Sequence, residues 1–229
     1  MHLPKWLLSF IQAVLILVVP VVLFFTPLYV LVTPGFVHQE YALPSFPPAD
    51  IYTAAERVRL SDPILLYLRG RVTREELAAV RTEAGNIALR DDEVRHLVDV
   101  KTVMDSMFLA HRIALALALV CGGLLWLAGR HKAIRLGLRQ GIAIAGVLIG
   151  LILASSFINF DVFFTRFHEV LFSGGNWTFY AEDTLIQLYP EPLWIHAAWK
   201  YGALVLAGVA LIYGLSFCFR DRKPAAGAA

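Results

Sequence analysis

Between Trp6 and Val37 the chain carries no Asp, Glu, Lys or Arg. Such a run exceeds the roughly 7 to 15 apolar residues of a signal-peptide core, and no small-x-small cleavage site closes it, so it reads as a retained membrane anchor. Three further apolar runs, at 113–129, 141–160 and 201–219, each approach the roughly 20 residues that cross about 30 Å of hydrocarbon. A hydrophobic fraction of 58% and a mean hydropathy of +0.64 agree, since soluble domains average roughly 45–50% apolar. The expectation is a mainly all-α polytopic membrane protein with four transmembrane helices. Pro20 and Pro27 should bend or end the first helix, which a bilayer tolerates only where other groups satisfy the freed carbonyls.

The short flanks set the orientation. Lys5, then Arg130, Lys132, Arg135 and Arg139, then Arg220, Arg222 and Lys223 are basic, opposed only by Asp221, which places these flanks in the cytoplasm. The segment Thr33 to Arg112 holds acids and bases in similar number and is long enough to cross regardless of charge. It is expected to form a small extracytoplasmic cap. The chain then divides into a first span (1–33), the cap and lead into the second span (34–112), the second span (113–129), a cytoplasmic loop (130–140), the third span (141–160), an outer loop with a histidine motif (161–200), the fourth span (201–219) and a cytoplasmic tail (220–229). The expected setting is a cytoplasmic membrane, multi-pass, with both termini inside and the cap and any active site outside.

Within the cap, the prolines of YALPSFPPAD precede a helix expected from Asp50, and Ser61-Asp62-Pro63 reads as a break and restart. Thr73-Arg74-Glu75-Glu76 matches a capping box, and Ile87-Ala88-Leu89 is compatible with a strand. Asp91 is a suitable N-cap for a helix carrying Val94, Leu97, Val98, Met104 and Phe108 at helical spacing. A straight helix would lift His96 about 25 Å above Ile113, so a bend or interfacial segment is expected between them. In the third span, Gly137, Gly141, Gly146, Gly150 and Ala154 recur near four-residue spacing, which suits close helix packing within the bundle before it suits a dimer seam.

Two stretches carry candidate chemistry: VRHLVDV at 94–100 and FHEVLFSGGNWTF at 167–179. Each holds a histidine near the end of a long apolar run, and imidazole titrates near neutral pH, as proton transfer requires. His96 and Asp99 are three apart and share a helix face, so Asp99 could orient His168 or a substrate amine. Taken singly, each histidine is more simply a surface, capping or anchoring side chain; His2, His38, His111, His131 and His196 keep that reading. The aromatic crowd from Phe160 to Tyr180 suits a headgroup-level belt, Gly174-Gly175 suits a tight turn, and Asp183 or Glu182 suits a cap for DTLIQLYP. The His-x-x-Asp unit with a distant histidine could also be three metal ligands, a pattern short enough to match often by chance.

Other chemistries lack their residues. There is no G-x-S-x-G nucleophile, P-loop or Rossmann glycine pattern, and Ser155, Ser156 and Ser173 have no nucleophile context. Cys121 and Cys218 lie in apolar runs without metal or redox spacing. A net charge of +2 does not by itself indicate a nucleic-acid partner. No cofactor, nucleotide, nucleic acid or metal is expected.

Taken together, H-L-V-D-V-K (96–101), F-H-E-V-L-F (167–172), N-W-T-F (176–179), D-T-L-I-Q-L-Y-P (183–190) and the anchor-cap-three-span order resemble the bacterial lipoprotein intramolecular transacylase family. The resemblance spans nearly the whole chain in topology and about thirty residues in specific motifs. It implies four transmembrane helices under an extracellular cap, with His96 and His168 as the essential histidines of a cleft. It also implies transfer of the sn-2 acyl chain of a diacylglyceryl-modified lipoprotein to the amine of its own N-terminal cysteine, giving a lyso-form lipoprotein. Asp99, Asn176 and Trp177 are expected to position substrate, and the partners are such lipoproteins and membrane lipid. The residues by themselves leave open a histidine- or metal-dependent ester hydrolase, and a non-enzymatic receptor or assembly factor.

Overall fold

A computed structural model describes residues 3–172, 175 and 177–219. Among them ten α-helices follow in order: α1 Lys5–Phe25, α2 Leu28–Leu31, α3 Pro34–Tyr41, α4 Ala54–Leu68, α5 Arg74–Ala78, α6 Asp91–Leu127, α7 His131–Ile158, α8 Phe160–Leu171, α9 Thr184–Leu188 and α10 Glu191–Ser216. A 3₁₀ turn, Phe217–Phe219, follows α10. Extended pairing is limited, among the described residues, to one isolated bridge between Arg81 and Ile87, so Ile87-Ala88-Leu89 is not a strand. Four stretches are long and apolar enough to cross a membrane: Lys5–Leu31, Asp91–Leu127, His131–Ile158 and Glu191–Phe219. The mainly all-α, four-span class read from the sequence is the class observed.

The chain folds as two compact units. The first takes the residues up to Pro27, Phe108–Ile152 and those from Gly202 onward. Its core joins Leu8, Ile11, Leu15, Val19 and Leu23 of α1 to Cys121 and Leu125 of α6 and Ile134, Ile142 and Ala145 of α7. Two glycines let α1 and α7 approach. A Cβ on Gly137 would meet the Leu15 side chain at 3.1 Å, and one on Gly141 would lie 2.7 Å from Val19 Cβ and 3.0 Å from the Ile16 carbonyl oxygen. Gly146 and Gly150, from the same small-residue pattern, face open space. Pro20 sits inside α1, which ends ahead of Pro27. His111 is buried, its Nε2 3.0 Å from the Thr26 hydroxyl.

The second unit, Leu28–Met107 with Leu153–Tyr201, is built on α4 and the start of α6. Leu60, Ile64 and Leu68 of α4, Leu77 of α5, Val94 and Leu97 of α6, and Leu185 and Leu188 of α9 form one buried cluster. The capping box before α5 is complete: Thr73 N–H donates to Glu76 Oε2 at 2.7 Å, and Glu76 N–H to Thr73 Oγ1 at 3.2 Å. Two histidines read from the sequence as surface or anchoring groups hydrogen-bond carboxylates here. His38 Nε2 lies 2.7 Å from Asp62 Oδ1, and His196 Nδ1 lies 2.7 Å from the fully buried Glu40, which also holds Lys200.

Several local expectations are corrected. The helix expected from Asp50 begins at Ala54, because the Thr53 hydroxyl caps it by accepting from Glu56 N–H. No break occurs at Ser61-Asp62-Pro63; α4 runs through Pro63, with the Ser61 hydroxyl bonded to Tyr189 and Asp62 to His38. The cap of α6 is Arg90 rather than Asp91, since the Arg90 carbonyl accepts from Val94 N–H at 3.0 Å. The bend expected between His96 and Ile113 is absent as a break in helix: α6 is continuous. The loop expected at 130–140 shrinks to a turn. Gly129, at φ 69°, closes α6 with bonds from its own N–H to the Trp126 carbonyl and from Arg130 N–H to the Leu125 carbonyl, and α7 restarts at His131.

Candidate active site

His96 lies in the second turn of α6, ahead of the apolar 113–127 stretch, and His168 lies in the last turn of α8. The two belong to the same compact unit. Asn159 makes α8 a separate helix: its extended backbone breaks from α7, and its Oδ1 accepts from Val162 N–H at 3.0 Å. Four-residue spacing then puts Phe160, Phe164 and His168 on one face.

The start of α6 is held by the segment around α9. Glu93, fully buried, accepts from Arg90 N–H at 2.8 Å with one oxygen and from Leu185 N–H at 2.7 Å with the other. Arg90 bridges Asp92 and Asp183, and Asp183 also accepts from Tyr180 N–H. The Thr184 hydroxyl donates to the Ala88 carbonyl and accepts from Tyr52 OH at 2.8 Å. Asp183 does stand at the N-cap position of α9, but its side chain is spent on Arg90 and Tyr180 rather than on a cap bond. These bonds are local anchors that fix His96, three residues beyond Glu93, against residues more than eighty positions away.

The histidine rings lie 6.3 Å apart, centre to centre, with their planes 26° from parallel, and each residue is only 8% exposed. Two imidazoles at this separation are near enough to serve one bound reacting group. Aromatic rings enclose the pair. Phe172 and Phe179 present edges to His96 at 5.2 and 5.4 Å; Phe164 lies 4.0 Å and Trp177 5.1 Å from His168.

The two imidazoles differ in what they already bond. His168 Nδ1 lies 2.8 Å from the Phe164 carbonyl oxygen, so it carries the proton and leaves the Nε2 lone pair available. His96 Nδ1 is buried without a hydrogen-bond partner. Burial pushes both below the ordinary histidine value: His96 to about 4, helped by the nearby His168 and opposed by Asp99, and His168 downward against the opposing bond to Phe164. Both rings are therefore neutral at physiological pH. Because the folded protein binds these protons more weakly than the unfolded chain, stability is expected to fall as pH drops from about 6.5 toward about 4. Thermal midpoints across that range should decline less steeply for His96→Gln than for the unsubstituted protein; equal slopes would count against buried neutral rings.

Of the side chains expected to position substrate, Trp177 is brought beside His168 and Asp99 lies one turn beyond His96. Asn176 lies outside the described residues, as does part of the Gly174-Gly175 turn. Among the described residues no three His, Cys, Asp or Glu side chains are grouped to hold a metal ion, so the His-x-x-Asp pattern does not assemble a ligand set with His168. Sequence reasoning passed over Glu93 and read Phe172 and Phe179 as members of a headgroup-level belt rather than as rings against His96. Glu93 gave one signal, an acid in the first turn of a helix just ahead of the histidine.

The family model for the lipoprotein intramolecular transacylase Lit matches residues 6–194. An uncharacterized protein of Aquifex aeolicus (strain VF5) is 27% identical over 187 residues, covering 80% of each chain. The solved structure of the membrane-integral lipoprotein intramolecular transacylase Lit from Bacillus cereus matches with a TM-score of 0.81 at 22% identity, over 94% of this chain and 97% of that one. A form of the same protein with one histidine replaced by arginine matches with a TM-score of 0.72, also at 22% identity, over 93% and 92% of the two chains.

Proposed function

Since the chain belongs to the lipoprotein intramolecular transacylase family, a family of acyltransferases, we propose that His96 and His168 carry the transfer in this protein. The substrate is a lipoprotein, which in our reading bears a diacylglyceryl thioether on its N-terminal cysteine. The carrying observation is the meeting of two buried neutral imidazoles in an aromatic enclosure. His168, with its proton held on Nδ1 by Phe164, is suited to act as base through Nε2. His96, whose Nδ1 has no partner in the fold, is suited to donate to the oxygen that gains charge.

The step balances without water or nucleotide. The neutral α-amine, with an ordinary pKa of about 7.7–8.0, attacks the sn-2 ester carbonyl. His168 takes the proton from the attacking nitrogen while His96 N–H supports the oxyanion. The C–O bond to glycerol then breaks as the amide C–N bond stands, and the proton passes to the departing glycerol oxygen. Mass is conserved. Holding donor and acceptor of one molecule together replaces a bimolecular encounter, an effect worth about 7–11 kcal/mol at its best. Burial of both histidines serves the same end by keeping water, the competing nucleophile, out.

The deciding experiment is mass spectrometry of the N-terminal lipopeptide from a diacylated reporter lipoprotein incubated with the protein. An N-acyl cysteine on a lyso-glyceryl thioether at unchanged total mass is expected. Loss of one acyl group would indicate hydrolysis instead, and unchanged lipopeptide with demonstrably folded protein would remove the assignment.

The protein is multi-pass, and we place both termini in the cytoplasm, with the cap and the histidines outside; Thr33–Arg112 and 161–200 are the outer segments. The basic flanks Lys5 and Arg130 to Arg139 support this. A single cysteine introduced at exposed Glu75, with the two native cysteines replaced, should react with a membrane-impermeant maleimide added to intact cells. Labelling only after lysis would reverse the topology.

A further inference from the structure

A cleft of about 300 Å³ opens between the end of α7, the start of α8 and the first turns of α10. Phe157, Ile158, Phe160, Ile195, Ala198 and Trp199 form its apolar walls. Of its two other lining residues, Ser156 donates its hydroxyl to the Leu153 carbonyl, and Asn159 accepts from Val162 N–H through Oδ1. With six of its eight lining residues apolar the cleft suits an apolar ligand, and its size lies at the lower end of the roughly 300–1,000 Å³ of small-molecule sites.

A row of rings along one face of α8 links the cleft to the histidine site. Phe160, Phe164 and His168 step up α8 at four-residue spacing, with 6.0 Å between the two phenyl rings and 4.0 Å between Phe164 and His168. From α10, Trp194 comes within 6.0 Å of Phe164, and Ile195 and Ala198 line the cleft beyond it. Eight residues of helix rise set its near wall about 12 Å from the imidazole, the run of a medium-length hydrocarbon chain. An apolar chain whose carbonyl lies at His168 would follow this stripe into the cleft.

Resting on the transfer reading above, we propose that this cleft holds the acyl chain being transferred and sets the chain length the protein prefers. Trp199 and Phe157, in edge contact at 6.2 Å, bound the side of the cleft away from His168. Ala198 is the smallest apolar residue in the wall, so enlarging it fills the volume that a long chain needs, while shortening Phe160 removes the ring that stands between the histidine site and the cleft and eases the entry of a long chain.

The test is a competition. Reconstituted protein is given an equimolar mixture of two diacylglyceryl lipopeptides that differ only in a short or a long sn-2 chain, and the two N-acyl products are quantified by mass spectrometry. Ala198→Trp is expected to raise the short-to-long product ratio about tenfold or more, the scale on which apolar pockets discriminate methylenes. Phe160→Ala is expected to lower the ratio. Product formed by both variants at the ratio of the unsubstituted protein would overturn the proposal, as it would if a bilayer phospholipid chain filled the cleft. Should Ala198→Trp fail to fold, Phe160→Ala decides alone. Absence of N-acyl product from the unsubstituted protein is a separate outcome, which strikes the transfer reading itself.

Discussion

His168→Ala is expected to lower the rate of N-acyl product formation by about 10²–10⁴-fold, the usual contribution of a positioned acid or base. The ring is the one imidazole of the pair whose tautomer the fold fixes, through Nδ1 and the Phe164 carbonyl, which leaves its Nε2 lone pair for the substrate. His96→Ala should cost a similar factor. If the two act on one transition state, the double variant will be little worse than the more damaging single one. Single-turnover mass spectrometry on reconstituted protein measures all three. Because both rings pack against aromatic neighbours, each variant needs a thermal midpoint beside its rate. A His168→Ala protein that is folded and within a few-fold of the original rate would remove His168 from the mechanism.

Glu93→Ala should be the most damaging substitution away from the histidines, and should act through structure. Its carboxylate is wholly buried and accepts from the backbone N–H groups of Arg90 and Leu185. Alanine leaves the buried Leu185 N–H unsatisfied, while the N–H of exposed Arg90 can turn to water, so a loss of about 1–3 kcal/mol is expected. Glu93→Gln retains one acceptor oxygen but turns an NH₂ toward the second donor, and should fall between the two. Hydrogen exchange at the Leu185 amide should accelerate in Glu93→Ala well beyond that at Leu60 in the centre of α4. The consequence for transfer follows from geometry: Glu93 ties α9 to the α6 turn that presents His96. Unchanged exchange at Leu185 would show that this tie is not what holds the segment.

The family comparison carries the reaction class, and the sequence carried a good part of the architecture before it. Four apolar runs, none matched by polar partners along their length, leave a chain little choice but to cross a bilayer as helices. The capping box at Thr73 was equally readable, because both of its bonds lie within four residues. Local patterns failed where a distant group reversed them. Ser61-Asp62-Pro63 reads as a break, yet Tyr189 and His38 engage Ser61 and Asp62, and α4 passes through. Asp183 reads as a cap, yet Arg90 claims its carboxylate.

Sequence alone thus determined the membrane class, the approximate spans and the two candidate histidines, since hydropathy and residue chemistry are properties of contiguous residues. Only the tertiary structure decided that His96 and His168, seventy-two positions apart, share one enclosure with their rings 6.3 Å from each other. That meeting depends on Asn159 starting a new helix and on Glu93, Arg90 and Thr184 fastening the α9 segment to the base of α6. It decided the tautomer of His168 as well, and the shift of both rings toward neutrality. Burial and hydrogen-bond partners arise from residues remote in the chain, and no local pattern encodes them.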